Sequence, residues 1–221
     1  DLGIHTELFA DAMQRLVEAG VVTNRHTFIH VNCAMSSIFL SSDQEGYDWL
    51  DYNSSVQSRP CDYTNSVLNI AREPNMVAIN GAIGVDLHGN IWADSLQARR
   101  IYSGVGGQSD FLRGAALSPG GVPIIALRST TEKGISKIVE KCPEGITTTA
   151  IAADQVVIVT EHGAFDPWGL SFSERVVAIA HLAEPETRHQ LLKQIYDSPV
   201  YHHPAQALKD RVPKGIIPLN F

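Results

Sequence analysis

The chain has 221 residues, 17 Lys and Arg against 24 Asp and Glu, and a formal net charge of −7. With 44% apolar and 19% charged residues it has the make-up of a globular chain with a real core, which excludes wholesale disorder. The acidic balance argues against nucleic acid or an anionic membrane as the main partner, and no apolar run approaches the roughly 20 residues that span a bilayer.

Leu8, Ala12 and Leu16, widened by Met13 and Val17, repeat at helical spacing ahead of Gly20. They predict an amphipathic helix over about 7–19. FIHVN (28–32) alternates like a short strand, and helices are expected near 43–51 and over 66–74, the latter stopped by Pro74. MVAINGAIGVDL, His88-Gly89-Asn90 and IWADSLQA read as a hairpin. A glycine-rich loop then enters a short helix that breaks at Pro119-Gly120-Gly121. VPIIALRST (122–130) has the continuous apolar character of a buried strand, and ISKIVEKC and VVIVTEHGAF are two further strand candidates. Ser171 and Glu174 form a capping box for a helix to about 183. Pro185 opens the last helix. The tail from Pro199 shows little periodicity and is expected to lie over the surface.

Strands interleaved with helices predict an α/β fold, one domain over 1–198 with a tail at 199–221. Cys33, Cys61 and Cys142 are far apart and form no C-x-x-C pair, so neither a disulfide framework nor a zinc or redox pair is expected, and a reducing, cytoplasmic setting fits. The nine histidines show no H-x-x-x-H spacing, and the His202-His203 pair is read as no metal site. No basic stretch followed by an apolar one opens the chain. It does begin at Asp1 rather than Met, which reads as a processed chain or a piece of a longer one.

Three segments put chemically useful residues at element ends. Glu7 closes GIHTE where a helix is expected, and is either a charge that complements the helix dipole or a carboxylate delivered into a cleft as nucleophile or base. Gly104-Val105-Gly106-Gly107-Gln108 is either a tight turn or a loop whose N–H groups approach a ligand oxygen. It is neither a P-loop nor G-x-G-x-x-G, since no Gly-Lys-Ser/Thr follows and Ser109 occupies the last glycine position. Glu161, followed by His162-Gly163, ends an apolar run, as site residues of open α/β sheets do, or is a plain surface strand end.

Together, GIHTELFADAMQRLVEAGVVTN, YTNS, MVAINGAIGVDLHGN, YSGVGGQSDFLRGAALSPGG, IIALRST and VVIVTEHGA resemble the C-terminal half of the acetyl-CoA hydrolase/transferase family, the CoA-transferases of the 4-hydroxybutyrate and succinyl-CoA:acetate type. The resemblance runs through roughly 1–183. It implies a mixed central sheet flanked by helices on both faces, of the CoA-transferase type, with coenzyme A or acyl-CoA as substrate and no metal. It implies Glu7 as the nucleophile that forms a glutamyl-CoA thioester. Backbone N–H groups of Gly106 and Gly107 are then oxyanion donors, and Glu161 is a supporting carboxylate. Asn65, Asn80, Gly104, Gln108 and Lys133 fall at positions expected to meet CoA. The partners implied are an acyl-CoA, a small carboxylic acid, the N-terminal half of the same protein and further copies in a homo-oligomer, with neither nucleic acid nor membrane. Hydrolysis of acyl-CoA at the same site, or CoA binding without catalysis, are the alternatives. The chain departs from the family pattern at VNCAMSS (31–37), where a glycine-serine turn is expected, at Asp166-Pro167-Trp168, and at AHLAEPETR, which lacks the usual His-Pro pairing after the penultimate helix.

Overall fold

The structure is a computed structural model and describes residues 1–97, 100–201 and 212–219. The chain forms two compact units, one of Asp1–Val77 with Arg113–Val122, the other of Ala78–Leu112 with Pro123–Phe221.

In the first unit β1 (Leu8–Ala10) leads directly into α1 (Asp11–Glu18). The helix is shorter than the 7–19 its periodicity predicts, because residues 8–10 are taken by parallel pairing with β3 (Ile38–Leu40). Backbone hydrogen bonds to a neighbouring strand outweigh local helical preference there. β2 (Ala34–Ser36) pairs in parallel with β4 (Val56–Ser58), and α2 (Gln44–Leu50) lies between them in sequence, capped by the Asp43 carboxylate on the Gly46 N–H. α3 (Cys61–Thr64) and α4 (Val67–Arg72) follow, the second capped by Ser66. FIHVN is not a strand. The Glu73 carboxylate accepts from the Phe28 and Ile29 N–H groups, which holds this segment as a turn and leaves Phe28 and Val31 exposed. The unit packs around Phe9, Val22, Met35 and Ile70.

The second unit holds a five-stranded mixed sheet in the order β14-β13-β12-β10-β5. Its first strand is β5 (Val77–Gly81). β6 (Gly84–Asp86) and β7 (Ile91–Trp92) form the expected hairpin, and Gly84 lies under the Trp92 ring, where a Cβ would collide. The Asp86 carboxylate fixes the turn by accepting from the His88 and Asn90 N–H groups. A short ladder of β8 (Ser95–Gln97) and β9 (Arg100–Ile101) precedes the glycine loop and α5 (Gln108–Leu117). β10 (Val122–Ala126) pairs in parallel with β12 (Val157–Thr160). β11 (Ile138–Val139), only two residues of the longer strand expected, pairs with β6. β13 (Gly163–Phe165) returns antiparallel to β12.

α6 (Phe172–His181) carries the Ser171–Glu174 capping box, and α7 (Pro185–Asp197) has its proline in the first turn, both as expected. Within the tail, β14 (Ile216–Ile217) adds an edge strand beside β13. The fully buried Val85, Leu87, Ile91, Ile125, Ile138, Ile158, Ile179 and Leu182 share one core. Each such side chain stabilises by roughly 1.5–3 kcal/mol. His202 and His203 lie outside the described residues. No helix among the described residues is long and apolar enough to cross a membrane.

Candidate active site

Glu7 sits where the chain enters β1, and its backbone is held firmly. The Glu7 carbonyl accepts from the N–H groups of Ile38 at 2.8 Å and Ser37 at 3.2 Å, and the Ser36 hydroxyl lies 2.9 Å from the carbonyls of both Glu7 and Ile38. The serines of VNCAMSS, a departure from the family pattern in sequence, are therefore the clamp on the residue at the centre of the site. The signal that marks them is a pair of adjacent hydroxyls just ahead of a strand, which becomes readable only once β1 and β3 are known to pair.

The Glu7 carboxylate meets Asn65, 58 residues away, whose Nδ2 donates to Oε1 at 2.9 Å. Asn65 closes α3, and its Oδ1 accepts from the Thr64 hydroxyl at 3.0 Å. This fixes the amide orientation, since a flipped amide would set its own oxygen against a carboxylate oxygen. The Thr64 carbonyl accepts from Nε2 of the buried His5 at 2.7 Å. A carbonyl only accepts, so Nε2 carries the proton. Burial pushes the His5 pKa down despite that hydrogen bond and the nearby Glu73 charge, so the ring stays neutral and acts as a strut.

In the second unit Glu161 occupies the turn between β12 and β13, just beyond the C-terminal end of a parallel strand pair. Its Oε2 accepts from the Ser129 N–H at 2.9 Å and its Oε1 from the Ser129 hydroxyl at 2.7 Å. Burial alone would raise its pKa. The hydrogen bonds from Ser129 and from its own backbone outweigh that and, with His162 at 3.9 Å, hold the carboxyl below its ordinary value. Ser129 itself is fully buried. The sequence singles out Glu161 but not this serine, which belongs to the motif IIALRST.

The glycine loop runs into the N-terminus of α5, and the Gly107 carbonyl accepts the Phe111 N–H at 2.9 Å as the helix begins. Gly106 adopts φ +59°, a left-handed conformation that favours glycine. Gly104 has an ordinary φ and nothing within 4 Å of where a Cβ would stand. Gln108 is buried, and its Nε2 donates to the Gly81 carbonyl at 2.7 Å, tying the loop to the AINGA segment. Asn80 is half-buried in that segment. Lys133 lies apart from these residues in sequence, exposed in the turn where the Gly134 N–H donates to the Thr131 carbonyl. Among the described residues no three His, Cys, Asp or Glu side chains gather into a set that could hold a metal ion.

These features define an α/β protein that presents a carboxylate at a strand entry, held by an ordered amide. Residues 43–195 match the acetyl-CoA hydrolase/transferase C-terminal domain, and the chain belongs to that family. It is 37% identical over 88% of its length to the 4-hydroxybutyrate coenzyme A transferase of Clostridium kluyveri, of which it covers 45%. It is 38% identical to the succinyl-CoA:acetate/propanoyl-CoA:succinate CoA transferase of Fasciola hepatica, over 89% of the chain and 41% of that protein. The crystal structure of RipA from Yersinia pestis superimposes with a TM-score of 0.82 at 37% identity, covering 89% of this chain and 44% of that one. The chain thus spans under half the length of the curated relatives it matches.

Proposed function

We propose that this chain carries the nucleophile of an enzyme that transfers coenzyme A between an acyl-CoA and a carboxylic acid in a reducing, cytoplasmic setting, the companion half of the family protein completing the site. The observation that carries this reading is the Asn65 Nδ2 donating to the Glu7 carboxylate from a held backbone.

In the first step a Glu7 carboxylate oxygen attacks the thioester carbonyl. The C–S bond breaks, giving an acyl-glutamyl anhydride and CoA thiolate. The thiolate then attacks the Glu7 acyl carbon and expels the first carboxylate, leaving a glutamyl-CoA thioester. A second carboxylate takes the CoA by the reverse of these two steps, so the energy of the thioester is conserved. When the thiolate adds to the Glu7 acyl carbon, negative charge gathers on its carbonyl oxygen. Asn65 is proposed as the donor to that oxygen, and the N–H groups of Gly106 and Gly107 as donors to the oxyanion on the transferred acyl group. Asn80, Gly104 and Lys133 remain candidates for contact with CoA, while burial of Gln108 favours a role in holding the loop. Glu161 is proposed as a supporting carboxylate.

In the complete protein, Glu7→Gln is expected to abolish transfer from an acyl-CoA to acetate while CoA still binds. Mass spectrometry after borohydride or hydroxylamine treatment should locate the trapped adduct at Glu7 of the unmodified enzyme. Retained activity in the variant, or no adduct with acyl-CoA present, overturns the reading. A 29% identical relative in Candida albicans is named acetyl-CoA hydrolase, and the same assay decides between the two activities: transfer requires an added carboxylate for CoA release, and hydrolysis does not.

A further inference from the structure

The relay behind Asn65 reaches further than the Asn–Glu pair. The Ser37 hydroxyl lies 2.8 Å from the Thr64 hydroxyl, and Thr64 Oγ1 lies 3.0 Å from Asn65 Oδ1. Asn65 Nδ2 then donates to Glu7 Oε1. The directions follow from the chemistry of each group. Oδ1 of an amide only accepts, so the Thr64 proton points to Asn65. A hydroxyl has one proton to give, so the short contact between the two hydroxyls is donated by Ser37. The longer alternatives are Thr64 to the Cys61 carbonyl at 3.5 Å and Ser37 to the Glu7 carbonyl at 3.4 Å.

We infer that Ser37 and Thr64 are positioning residues that act on the reaction through Asn65, holding its amide with N–H toward Glu7 and strengthening that donor. This rests on the function proposed above. Two features separate it from ordinary packing. Thr64 is fully buried, so its hydroxyl has no water to turn to and keeps its direction. A hydrogen bond accepted by Oδ1 also polarises the amide and makes its N–H a better donor, an effect that adds along a chain of donors in a low-dielectric setting. Such strengthening matters most when the oxygen beneath the N–H carries developing charge.

The test is a double-mutant cycle in the complete protein, read as kcat and KM for acyl-CoA with thermal melting as a control. Asn65→Ala is expected to lower kcat roughly 100-fold, in the range seen when an oxyanion donor is removed. Thr64→Val removes the hydroxyl at nearly constant volume and is expected to lower kcat about tenfold with KM unchanged. Thr64→Ser should restore most of the rate. In the Asn65→Ala background Thr64→Val should have no further effect, because the group it acts through is gone. Additive losses in the double variant, or a full rate in Thr64→Val, overturn the inference. A full rate in Asn65→Ala instead overturns the proposed role of Asn65 itself. Should Thr64→Val fail to fold, Ser37→Ala trims only the far end of the relay and is expected to lower kcat about threefold, again with no effect once Asn65 is alanine. An additive loss there would equally overturn the relay.

Discussion

Each unit presents one carboxylate that the sequence singles out, and the two are held by different kinds of donor. Glu161 takes two hydrogen bonds from one buried residue, the Ser129 N–H and hydroxyl. A backbone donor stays where the fold puts it and clamps the charge in place. Glu7 takes a hydrogen bond from a side-chain amide whose other end is tied to a hydroxyl relay. The contrast lies in what holds the two carboxylates, a buried serine's backbone and hydroxyl in one case and a side-chain amide in the other.

The sharpest way to break this contrast is to neutralise each carboxylate in turn. If Glu7 is the nucleophile proposed above and Glu161 the supporting carboxylate, Glu7→Gln is expected to cost at least about 10⁴-fold in kcat/KM and Glu161→Gln about 10- to 100-fold. Equal losses would erase the distinction.

Ser129→Ala is a smaller perturbation, expected to lower kcat about tenfold by loosening Glu161. It also has a signature in pH. The Glu161 carboxyl is held below its ordinary 4.5 in the folded state. A depressed acid adds stability that is fully present above its unfolded value and is lost as pH falls through the folded one. The gap in melting temperature between the unaltered protein and Ser129→Ala should therefore be present at neutral pH and shrink as pH falls below 4.5. A gap that stays constant with pH would show that the serine acts through packing alone.

The smallest expected effect concerns a half-buried histidine at the end of α6. Burial, with the Arg188 charge beside it, pushes the His181 pKa down to about 4 from 6.5. Its neutral form is the one the fold accepts, so stability is complete above 6.5 and declines as pH falls toward 4. Melting measured across that window should fall less steeply in His181→Gln than in the unaltered protein. Matching slopes would show that His181 does not drive the acid sensitivity.

How much was legible varied with the range of the forces involved. The Ser171–Glu174 capping box, Pro185 in the first turn of α7 and the His88-Gly89-Asn90 turn are all set by residues within a few positions of one another, and all stand where the sequence puts them. FIHVN failed as a strand because Glu73, far along the chain, supplies the acceptors that hold it as a turn. The first helix lost residues 8–10 to pairing with β3. Glu7, Asn65 and Glu161 stood out through family motifs, whereas Ser36, Ser37 and Ser129 did not, since a serine carries no pattern until its partner is known.

The sequence by itself determined the class of the fold, the family and the carboxylates to watch, because caps, turns, periodicity and motifs are written in neighbouring residues. Only the tertiary structure decided that Asn65 crosses 58 positions to reach Glu7 and that Ser129 crosses 32 to reach Glu161. The physical reason is that a hydrogen bond depends on distances of about 3 Å and on direction, and strand pairing and helix packing set both without leaving a spacing in the chain.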